Sequence, residues 1–404
     1  MFSDLVQCLT HASGKALATG LTRVLLSSIA LLSPAAFAGW QDPLNTPALQ
    51  TERAHETLLL DVVRADQRLV AVGGHGHVVY SDDDGSTWRQ GKVPVSVTLV
   101  AAYFPSGDFG WAVGHDGVIL RTTDGGKNWA KQFDGYQAND EIVAAATRTK
   151  ERAQAQLDAA ETAGDDVAIE DAEMALEAAT YALQDAEYDK STGSTKPFMD
   201  VWFYDAKRGF AVGAYGMFFA TENGGESWED VSSRLPNPDR LHLNAITPVG
   251  AHSLVVVGEM GMILRSDDLG QTWHQLESPY DGSLFGLLAQ GSHQLLFGLR
   301  GHVYNSTDGG ISWNELSTGS EQTLLSGVIG HKHTLLVGNG GSVVVFDSAL
   351  NNPVSTILEG RKAYAAVAEA SDGNYVIVGE AGVKRLNAAG EMIDQSISMA
   401  AGDF

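Results

Sequence analysis

The sequence predicts an all-β chain, a seven-bladed β-propeller with an α-helical hairpin inserted between blades 2 and 3. Three observations support this fold class. A glycine-punctuated segment recurs seven times, a loop with aspartate and tryptophan follows five of the copies, and one helix-forming stretch interrupts the series. Repeats of about 40–50 residues that are rich in β-branched and aromatic residues are typical of four-stranded propeller blades, whereas helical repeats would show a 3.6-residue period.

The repeat is easiest to follow through the first glycine of each copy. Five copies align without gaps and end at a tryptophan, as in AVGGHGHVVYSDDDGSTW, and two weaker copies begin at Leu336 and Ile377. Successive first glycines are 40 to 45 residues apart, except for one step of 99 residues. The propeller is therefore predicted over residues 58–398. The first glycines are Gly73, Gly114, Gly213, Gly258, Gly298, Gly338 and Gly379.

Blade 2 illustrates the four strands that are expected in each repeat. The predicted strands lie near residues 97–104, 109–114 and 118–122, and the outer strand begins at Trp129. The G-x-x-G pair between the second and third strands is interpreted as structural, because glycine supports the positive φ of a tight hairpin. A dinucleotide-binding motif would need a strand-to-helix transition and a third spaced glycine.

Five loops carry the pattern S/T-x-D-x-G-x-T/S/N-W, with Asn223 replacing the aspartate in one copy. A short carboxylate accepts backbone N–H bonds across its own turn, and the tryptophan is expected to pack between blades. Calcium at Asp82, Asp83 and Asp84 is the alternative, but these loops lack the spacing and closing glutamate of a helix-loop-helix calcium site. The predicted structural residues are Asp83, Trp88, Asp124, Trp129, Asn223, Trp228, Asp268, Trp273, Asp308 and Trp313.

These loops resemble the Asp box of the BNR repeat in sialidase-like propellers. The recurring VG-x-x-G-x-[IVF] segment followed by the box also resembles the photosystem II stability/assembly factor family, over roughly residues 58–386. This resemblance implies a lumenal or periplasmic seven-bladed propeller that is not catalytic and that binds and stabilises a membrane-protein client during assembly. Homologous propellers also occur in non-photosynthetic bacteria, so the client stays open.

Residues 1–38 have the three parts of a secretory signal peptide. A basic stretch precedes an apolar run at residues 24–32, and Ala-Phe-Ala at residues 36–38 fits the small-x-small cleavage pattern. The apolar run is shorter than the ~20 residues of a membrane span, which favours a cleaved signal over the alternative, an N-terminal anchor. We expect export to the periplasm, a mature start at Gly39 and an N-terminal segment at residues 39–57.

Composition limits the classes of partner. The only cysteine, Cys8, lies in the signal segment, which excludes disulfides, thiol chemistry and a lipidated cysteine at the cleavage point. The chain has 26 basic and 50 acidic residues, a net charge of −24. Nucleic acids and anionic lipid surfaces bind clustered Lys and Arg, so neither is an expected partner. No cofactor, no metal and no membrane insertion of the mature chain are predicted.

The long step comes from an insertion at residues 139–192, which is rich in Ala, Glu, Asp and Gln. It predicts two antiparallel helices at residues 140–162 and 166–189. A stripe that includes Ala168, Ala172, Ala175, Ala179 and Ala182 is expected to face the first helix in a closely packed hairpin with solvated acidic faces. The insertion has a net charge of −10, which suits a basic partner, and docking is its expected role.

The residues between the paired glycines vary among repeats and are expected to form a ring on the face that carries the insertion, opposite the Asp boxes. A protein partner, in a membrane complex of the envelope, is expected to bind there. One alternative is a sialidase-like glycoside hydrolase, although only Arg300 of the required arginine cluster lies in the ring. The other is a small-ligand propeller, or a metal site at His75, His77 and His115. The predicted partner-binding residues are His75, His115, Asp116, Tyr215, Glu259, Met260, Arg300, Asn339 and Glu380.

The last blade needs a fourth strand, because an open sheet edge is prone to unwanted pairing. Its first three strands are predicted at residues 364–370, 375–379 and 383–386. The fourth strand comes either from residues 391–398 or from residues 44–53, and the second choice is slightly preferred. The expected function is that of a non-catalytic assembly, stability or accessory factor for an envelope membrane-protein complex.

Overall fold

A computed structural model of the protein describes residues 41–394 and 396–400. The expected signal peptide, with Cys8 and Gly39, lies outside these residues. The two long helices are α1 (Gly135–Ala163) and α2 (Asp166–Thr192). The strands in the described part are β1 (Leu59–Ala65), β2 (Arg68–Gly73), β3 (Val78–Ser81), β4 (Thr87–Gln90), β5 (Leu99–Tyr103), β6 (Gly110–Gly114), β7 (Ile119–Thr122), β8 (Trp129–Phe133), β9 (Phe198–Phe203), β10 (Gly209–Gly213), β11 (Phe218–Thr221), β12 (Glu229–Asp230), β13 (Leu243–Pro248), β14 (Leu254–Gly258), β15 (Ile263–Ser266), β16 (His274–Gln275), β17 (Leu284–Gln290), β18 (His293–Gly298), β19 (Val303–Ser306), β20 (Asn314–Glu315), β21 (Leu324–Ile329), β22 (Thr334–Gly338), β23 (Ser342–Phe346), β24 (Val354–Ile357), β25 (Tyr364–Glu369), β26 (Tyr375–Gly379), β27 (Gly382–Leu386) and β28 (Ser398–Met399).

Within residues 41–394 and 396–400 the strands form seven sheets, which we number 1 to 7 in chain order. Sheets 2 to 6 each contain four consecutive strands, β5–β8, β9–β12, β13–β16, β17–β20 and β21–β24. Sheet 1 contains β1–β4 and β28, and sheet 7 contains β25–β27. The predicted all-β chain of repeated four-stranded sheets with two helices is confirmed.

Every sheet has the same irregularity where its first strand begins. The pairing register between the first and second strands shifts by one residue there, for example between Leu59 and Asp61 in sheet 1. The first glycine of the repeat lies opposite this bulge, and a Cβ atom on Gly73 would lie 2.3 Å from the carbonyl oxygen of Leu58. The first glycine is therefore needed for the close approach of two backbones, not for the positive φ that the sequence suggested.

The hydrophobic core in the described part is divided into seven clusters, each of which lies between two sheets. The cluster between sheets 1 and 2 contains Val70 and Trp129, and the cluster between sheets 7 and 1 contains Val376 and Trp88. Strand β1 accordingly contacts both β5 and β25. Each sheet thus buries its two faces against its two neighbours, and sheet 1 packs against sheet 7.

The C-terminal segment lies along the outer edge of sheet 7. Met392 forms an isolated bridge with Leu386, and the backbone N–H of Ile393 donates to the carbonyl oxygen of Arg385 (3.0 Å). The chain then reaches sheet 1, where β28 pairs in parallel with β4. Residues 391–393 therefore lie along the edge of sheet 7, and β28 adds a fifth strand to sheet 1.

The slight preference for residues 44–53 as the closing strand is wrong. These residues form no strand; they lie along the connection between sheets 1 and 2. The N–H of Ala48 donates to the carbonyl oxygen of Val93 (3.0 Å), and Leu44 is buried in the cluster between sheets 1 and 2. Because this connection already holds the segment, it cannot pair with sheet 7.

Helices α1 and α2, here called the arm, lie between β8 and β9 in the chain and pack side by side as a hairpin. Helix α1 begins five residues before the predicted start, because the carboxylate of Asp134 caps its first turn. At the base, the side chain of Asn139 donates to the carbonyl oxygen of Gly193 (2.9 Å), so the two ends of the arm are close together. Neither helix is long and apolar enough to cross a membrane, and no other helix in the described ranges is.

Small side chains form the contact between the two helices. The buried residues are Ala153, Leu157 and Ala160 on α1 and Ala172, Ala179 and Ala186 on α2. Ala172 and Ala179 belong to the predicted stripe, but Ala175 is exposed. Ala175 lies on the flank of α2, because the buried positions repeat every seven residues, at 172, 179 and 186, and residue 175 is rotated about 60° from that row.

Candidate partner-binding surface

The turns between the second and third strands of sheets 1 to 6 have the same backbone conformation. Their third residue has a φ between 51° and 62° in all six turns. Five of these residues are not glycine, although left-handed backbone costs other residues roughly 1 kcal/mol. Of the five, Asp116 is half-buried and the other four are exposed. The residues are His75, Asp116, Tyr215, Met260, Arg300 and Gly340.

The arm is seated on the turn of sheet 2. The hydroxyl of Ser194 donates to the carbonyl oxygen of Asp116 (2.6 Å), and a Cβ atom on Gly117 would lie 2.7 Å from the Cα atom of Gly135. Each Asp box joins the third and fourth strands, so it lies at the other end of the third strand from these turns. The arm thus rises from the same face as the turns.

His242 connects two of the predicted ring residues. Its ring packs edge-on against the ring of Tyr215, with centroids 4.8 Å apart. Its backbone N–H donates to the Oε2 atom of Glu259 (2.9 Å), and its Nδ1 atom lies 3.6 Å from Oε1. The ammonium group of Lys196 lies over the ring of Tyr215, 5.5 Å from the ring centroid. His242 and Lys196 were not among the predicted residues, since both lie in connections outside the repeat motif.

No hydrogen bond, ion pair or ring contact within the described ranges joins the side chains of Met260, Arg300, Asn339 and Glu380 to one another. Met260 is 71% exposed, and His115, Arg300, Asn339 and Glu380 are also exposed. The structure therefore groups Tyr215 and Glu259 through His242, places the half-buried Asp116 at the base of the arm, and leaves the other predicted residues exposed on turns of the same face.

A cleft of about 1030 Å³ lies between α1 and sheet 3, next to Tyr215. Five basic and three acidic residues line it, whereas acidic residues outnumber basic ones by 50 to 26 in the chain. Apolar side chains such as Ile142 and Leu235 form part of its wall. Sequence reasoning could not find the cleft, because the arm and sheet 3 meet only in the folded chain. The basic residues are Arg148, Arg152, Lys196, Arg234 and Arg240.

Two carboxyl groups near the turns and the cleft have raised pKa values. Burial raises the pKa of Asp230, and hydrogen bonds from Ser232 together with the charges of Arg148 and Arg240 oppose the shift. Burial also raises the pKa of Asp116, which lies beside the base of the arm. Both groups are therefore less readily ionised than exposed aspartates, and for Asp230, which lines the cleft, this adds to the positive balance of the cleft.

Two partly buried aspartates, Asp61 and Asp200, connect neighbouring sheets, and nothing in the sequence pattern singled them out. The Oδ2 atom of Asp61 accepts the backbone N–H of Ala102 (2.8 Å), and that of Asp200 accepts the N–H of Ile246 (2.9 Å). Burial raises the pKa of Asp61 to about 6 and that of Asp200 to about 7. Paired buried acids occur in active sites, but each of these carboxylates is engaged by backbone N–H groups of two strands, so their role is structural.

The Asp boxes are closed by the bonds that the pattern suggests. In the first box, Oδ1 of Asp83 accepts the N–H of Thr87 (2.8 Å), and Oδ2 accepts its hydroxyl (2.7 Å). The same two bonds recur at Asp268 and Asp308, and at Asp124 the amide of Asn128 donates in place of the hydroxyl. Hydrogen bonds from Thr272 lower the pKa of Asp268 to about 2, and bonds from Ser312 likewise lower that of Asp308.

The Asn223 box keeps the same geometry without a carboxylate. The Oδ1 atom of Asn223 accepts the N–H of Ser227 (3.0 Å), while its Nδ2 atom donates to the Ser227 hydroxyl (2.9 Å). The box tryptophans pack on the preceding sheet: Trp88 lies in the cluster of sheets 7 and 1, Trp129 in that of 1 and 2, and Trp273 in that of 3 and 4. Trp228 is likewise in the cluster of sheets 2 and 3, and Trp313 packs against that of 4 and 5.

The arginines that a sialidase would need and the three histidines that a metal site would need are not brought together in the described part of the chain. Arg121 lies over Trp111, and Arg265 is bound to Asp267 and to the carbonyl oxygen of Gly309, so neither joins Arg300. His77 is buried and contacts the hydroxyl of Thr57 (3.1 Å). Burial lowers its pKa. Within the described ranges no three His, Cys, Asp or Glu side chains are grouped so that they could hold a metal ion.

Comparison with known proteins identifies the family. The sequence profile described as "Photosynthesis system II assembly factor YCF48" matches residues 38–123 and 182–383, which is more than half of the chain. The chain belongs to the YCF48 family. The profile leaves residues 124–181 unmatched, and this gap contains α1 and the first half of α2. The resemblance to photosystem II assembly factors that the repeats indicated is confirmed.

Relatives in the YCF48 family and solved propellers agree with this assignment. The "Photosystem II assembly lipoprotein Ycf48" of Synechococcus sp. (strain CC9902) is 36% identical over 78 residues, 19% of this chain and about a quarter (23%) of that protein. The structure "YCF48 bound to D1 peptide" has a TM-score of 0.56 at 15% identity and covers 85% of this chain and 99% of its own. The "WD40 beta propeller domain of Doa1" has a TM-score of 0.55 at 11% identity, with 85% and 95% covered. These two structures show a shared propeller fold.

Proposed function

We propose that this chain is an exported, non-catalytic propeller that binds a membrane-protein complex of the cell envelope and acts as an assembly, stability or accessory factor for it. The observation that carries this proposal is the arm, which is seated on the turn of Asp116 and forms a cleft beside Tyr215. A long helical extension at the rim of variable turns is typical of a recognition surface. Membership of a family of assembly factors supports the same role.

We infer that the seven sheets are the blades of one closed seven-bladed propeller, with the arm inserted between blades 2 and 3. The contacts of β1 with both β5 and β25 support closure, and the position of α1 and α2 between β8 and β9 supports the point of insertion. Such a scaffold is rigid, so side chains on its turns are held at fixed positions for a partner.

Three observations favour a protein partner over a small substrate. The arginines that a sialidase would need are dispersed, and a YCF48 structure is named for its bound D1 peptide. The cleft beside the arm is open and mixed in polarity, as protein-binding surfaces often are. The proposed location is the periplasm, reached through a signal peptide at residues 1–38; a relative named as a lipoprotein supports export.

The proposal is tested by recovering the partner from its own membrane. Tagged chain is expressed in the source organism, cross-linked in intact cells and purified from detergent-solubilised envelopes, and recovered proteins are quantified by mass spectrometry. We expect the subunits of one integral membrane complex to be enriched. A variant with Tyr215→Gly, Met260→Gly and Arg300→Gly keeps the turn backbone, since glycine accepts positive φ, and should recover at least about tenfold less.

The matched control carries substitutions on exposed side chains away from these turns, Ile311→Gly and Glu226→Gly. It should recover the complex as the unmodified chain does. If the unmodified chain enriches no membrane protein, the proposed function is wrong. If the turn variant recovers as much as the control, recognition does not use these turns.

A further inference from the structure

Helix α2 carries a row of large apolar side chains that face solvent. Val167, Met174, Tyr181 and Tyr188 are 71%, 57%, 59% and 70% exposed. They are spaced by seven residues, so on a straight helix each is rotated by only about 20° from the one before. The row, here called the α2 stripe, extends for about 31 Å along one face of the helix at 1.5 Å per residue. Large apolar side chains that face solvent in a regular row favour an interaction site, since single exposed apolar residues are otherwise scattered.

Carboxylates border the α2 stripe on both sides. Beyond Asp166, the first residue of α2, six exposed acidic residues of the helix lie within four positions of its members, and within the described ranges none of the six forms an ion pair. The single basic residue of α2, Lys190, is bound to Asp140 of α1 (2.7 Å). The outer face of α2 is thus both apolar and strongly negative. The six residues are Glu170, Asp171, Glu173, Glu177, Asp185 and Glu187.

We propose that the α2 stripe binds a basic, amphipathic segment of a protein partner. Apolar side chains of such a segment would cover the stripe, while its Lys and Arg groups would meet the bordering carboxylates. The rings of Tyr181 and Tyr188 add faces on which these cations can stack. This inference rests on the proposed function and names the chemistry of the partner.

Charge disfavours the other occupants of this face. An anionic lipid surface is repelled by six unpaired carboxylates. A second copy of the arm would bring together two insertions that each have a net charge of −10. The family profile does not match residues 124–181, which include three of the four stripe residues. The binding face therefore belongs to this chain's own insertion and not to the repeat that the family shares.

The test is a titration of the full chain with a labelled peptide, followed by fluorescence anisotropy. The probe is an 18-residue peptide of Lys and Leu with Leu at helical spacing, and the matched peptide has Glu in place of Lys. We expect the Lys peptide to bind and the Glu peptide not to bind. The variant Met174→Ser, Tyr181→Ser, Tyr188→Ser should weaken the affinity at least about tenfold. The variant Glu170→Gln, Glu177→Gln, Asp185→Asn should weaken it and reduce its dependence on salt.

The control variant removes exposed apolar side chains elsewhere, by Ile311→Ser and Val354→Ser, which are 83% and 64% exposed. It should bind as the unmodified chain does, and thermal melts should show all variants folded. Equal binding by the stripe variant, or no binding of the Lys peptide, would overturn the inference. Self-association in analytical ultracentrifugation that the stripe variant abolishes would instead assign the face to a second copy.

The two proposals fail in different ways. If the peptide result is negative but the unmodified chain still recovers an envelope complex, only the inference about the α2 stripe is wrong. If no membrane complex is recovered, the proposed function is wrong, whatever the peptide does.

Discussion

At the scale of single residues, Asp61 and Asp200 are the groups most sensitive to pH. Burial raises the pKa of Asp61 to about 6 and of Asp200 to about 7, from an ordinary value of 3.8. A raised carboxyl pKa adds stability below about pH 4, and this stability is lost as pH rises through the folded values. We therefore expect the Tm to fall between pH 5 and pH 8. At about 1.4 kcal/mol per pKa unit, the two units between pH 5 and the folded pKa of Asp200 set an upper limit of roughly 3 kcal/mol on this loss of stability.

The variant Asp200→Asn has no group to ionise, so its Tm should change less between pH 5 and pH 8, as measured by calorimetry. At low pH this variant should be less stable than the unmodified chain. One of the two backbone N–H groups that donate to Asp200, from Val201 or Ile246, would face the NH₂ group of the asparagine and lose its acceptor. Asp239→Asn at an exposed site is the control and should follow the unmodified chain. Parallel pH curves for Asp200→Asn and the unmodified chain would show that Asp200 does not titrate in this range.

The sequence predicted the residues that repeat better than those that occur once or twice. The strands of sheet 2 were located to within about two residues, since β-branched runs end at turn residues. Asp61 and Asp200 were missed because a bulge changes which side chains are buried, and the register of a bulge is not visible in one sequence. The positive φ of Tyr215 and Met260 was not predicted, because the glycines of the same motif were expected to be the residues with positive φ.

At the scale of elements, the C-terminal segment lies along sheet 7, where the sequence slightly favoured residues 44–53. Ile397 and Met399 pack against the cluster between sheets 7 and 1. We expect the double variant Ile397→Asp, Met399→Asp to lower the free energy of unfolding by about 1–3 kcal/mol, because it places charge against an apolar cluster. Urea unfolding measures this change. Met392→Asp, whose side chain is 42% exposed, is the control and should leave stability nearly unchanged.

An unchanged urea midpoint in the double variant would mean that the segment adds nothing to the closure of sheets 1 and 7. The sequence could not decide between the two closing segments, because residues 44–53 and 391–398 are both short and only weakly patterned. The choice depends on the partners that each segment meets in the fold, such as Val93 for the N-terminal segment and Arg385 for the C-terminal one.

At the scale of the whole molecule, the arm has two parts. Its base, residues 135–143 and 188–194, packs on the core of the sheets, and its shaft, residues 144–187, does not. Ala138 is buried in the cluster of sheets 2 and 3, and Ile142 packs against it. We therefore expect that replacement of residues 144–187 by a short Gly/Ser linker preserves the β-rich circular dichroism spectrum and a cooperative melt. Replacement of residues 135–194 should lower the Tm, because it uncovers Phe133 and Phe198.

The two deletions form a matched pair, since both remove the shaft and only one removes the base. The shorter deletion should also abolish recovery of the envelope complex, which would show recognition by the shaft separately from stability. Loss of folding in the shorter deletion would mean that the shaft is part of the core. Equal Tm values for the two deletions would mean that the base contributes no stability.

The packing of sheet 1 against sheet 7 also determines when folding can be completed during synthesis. A ribosome produces Leu59 and Trp88 long before it produces Val376 and Met399, yet these residues share one buried cluster. Contacts between the two ends of a chain form late and make folding slow. Until the last residues emerge, the first sheet exposes an apolar face to proteases and to other unfinished chains. We therefore expect slow folding, because this face of sheet 1 stays uncovered until sheet 7 has been made.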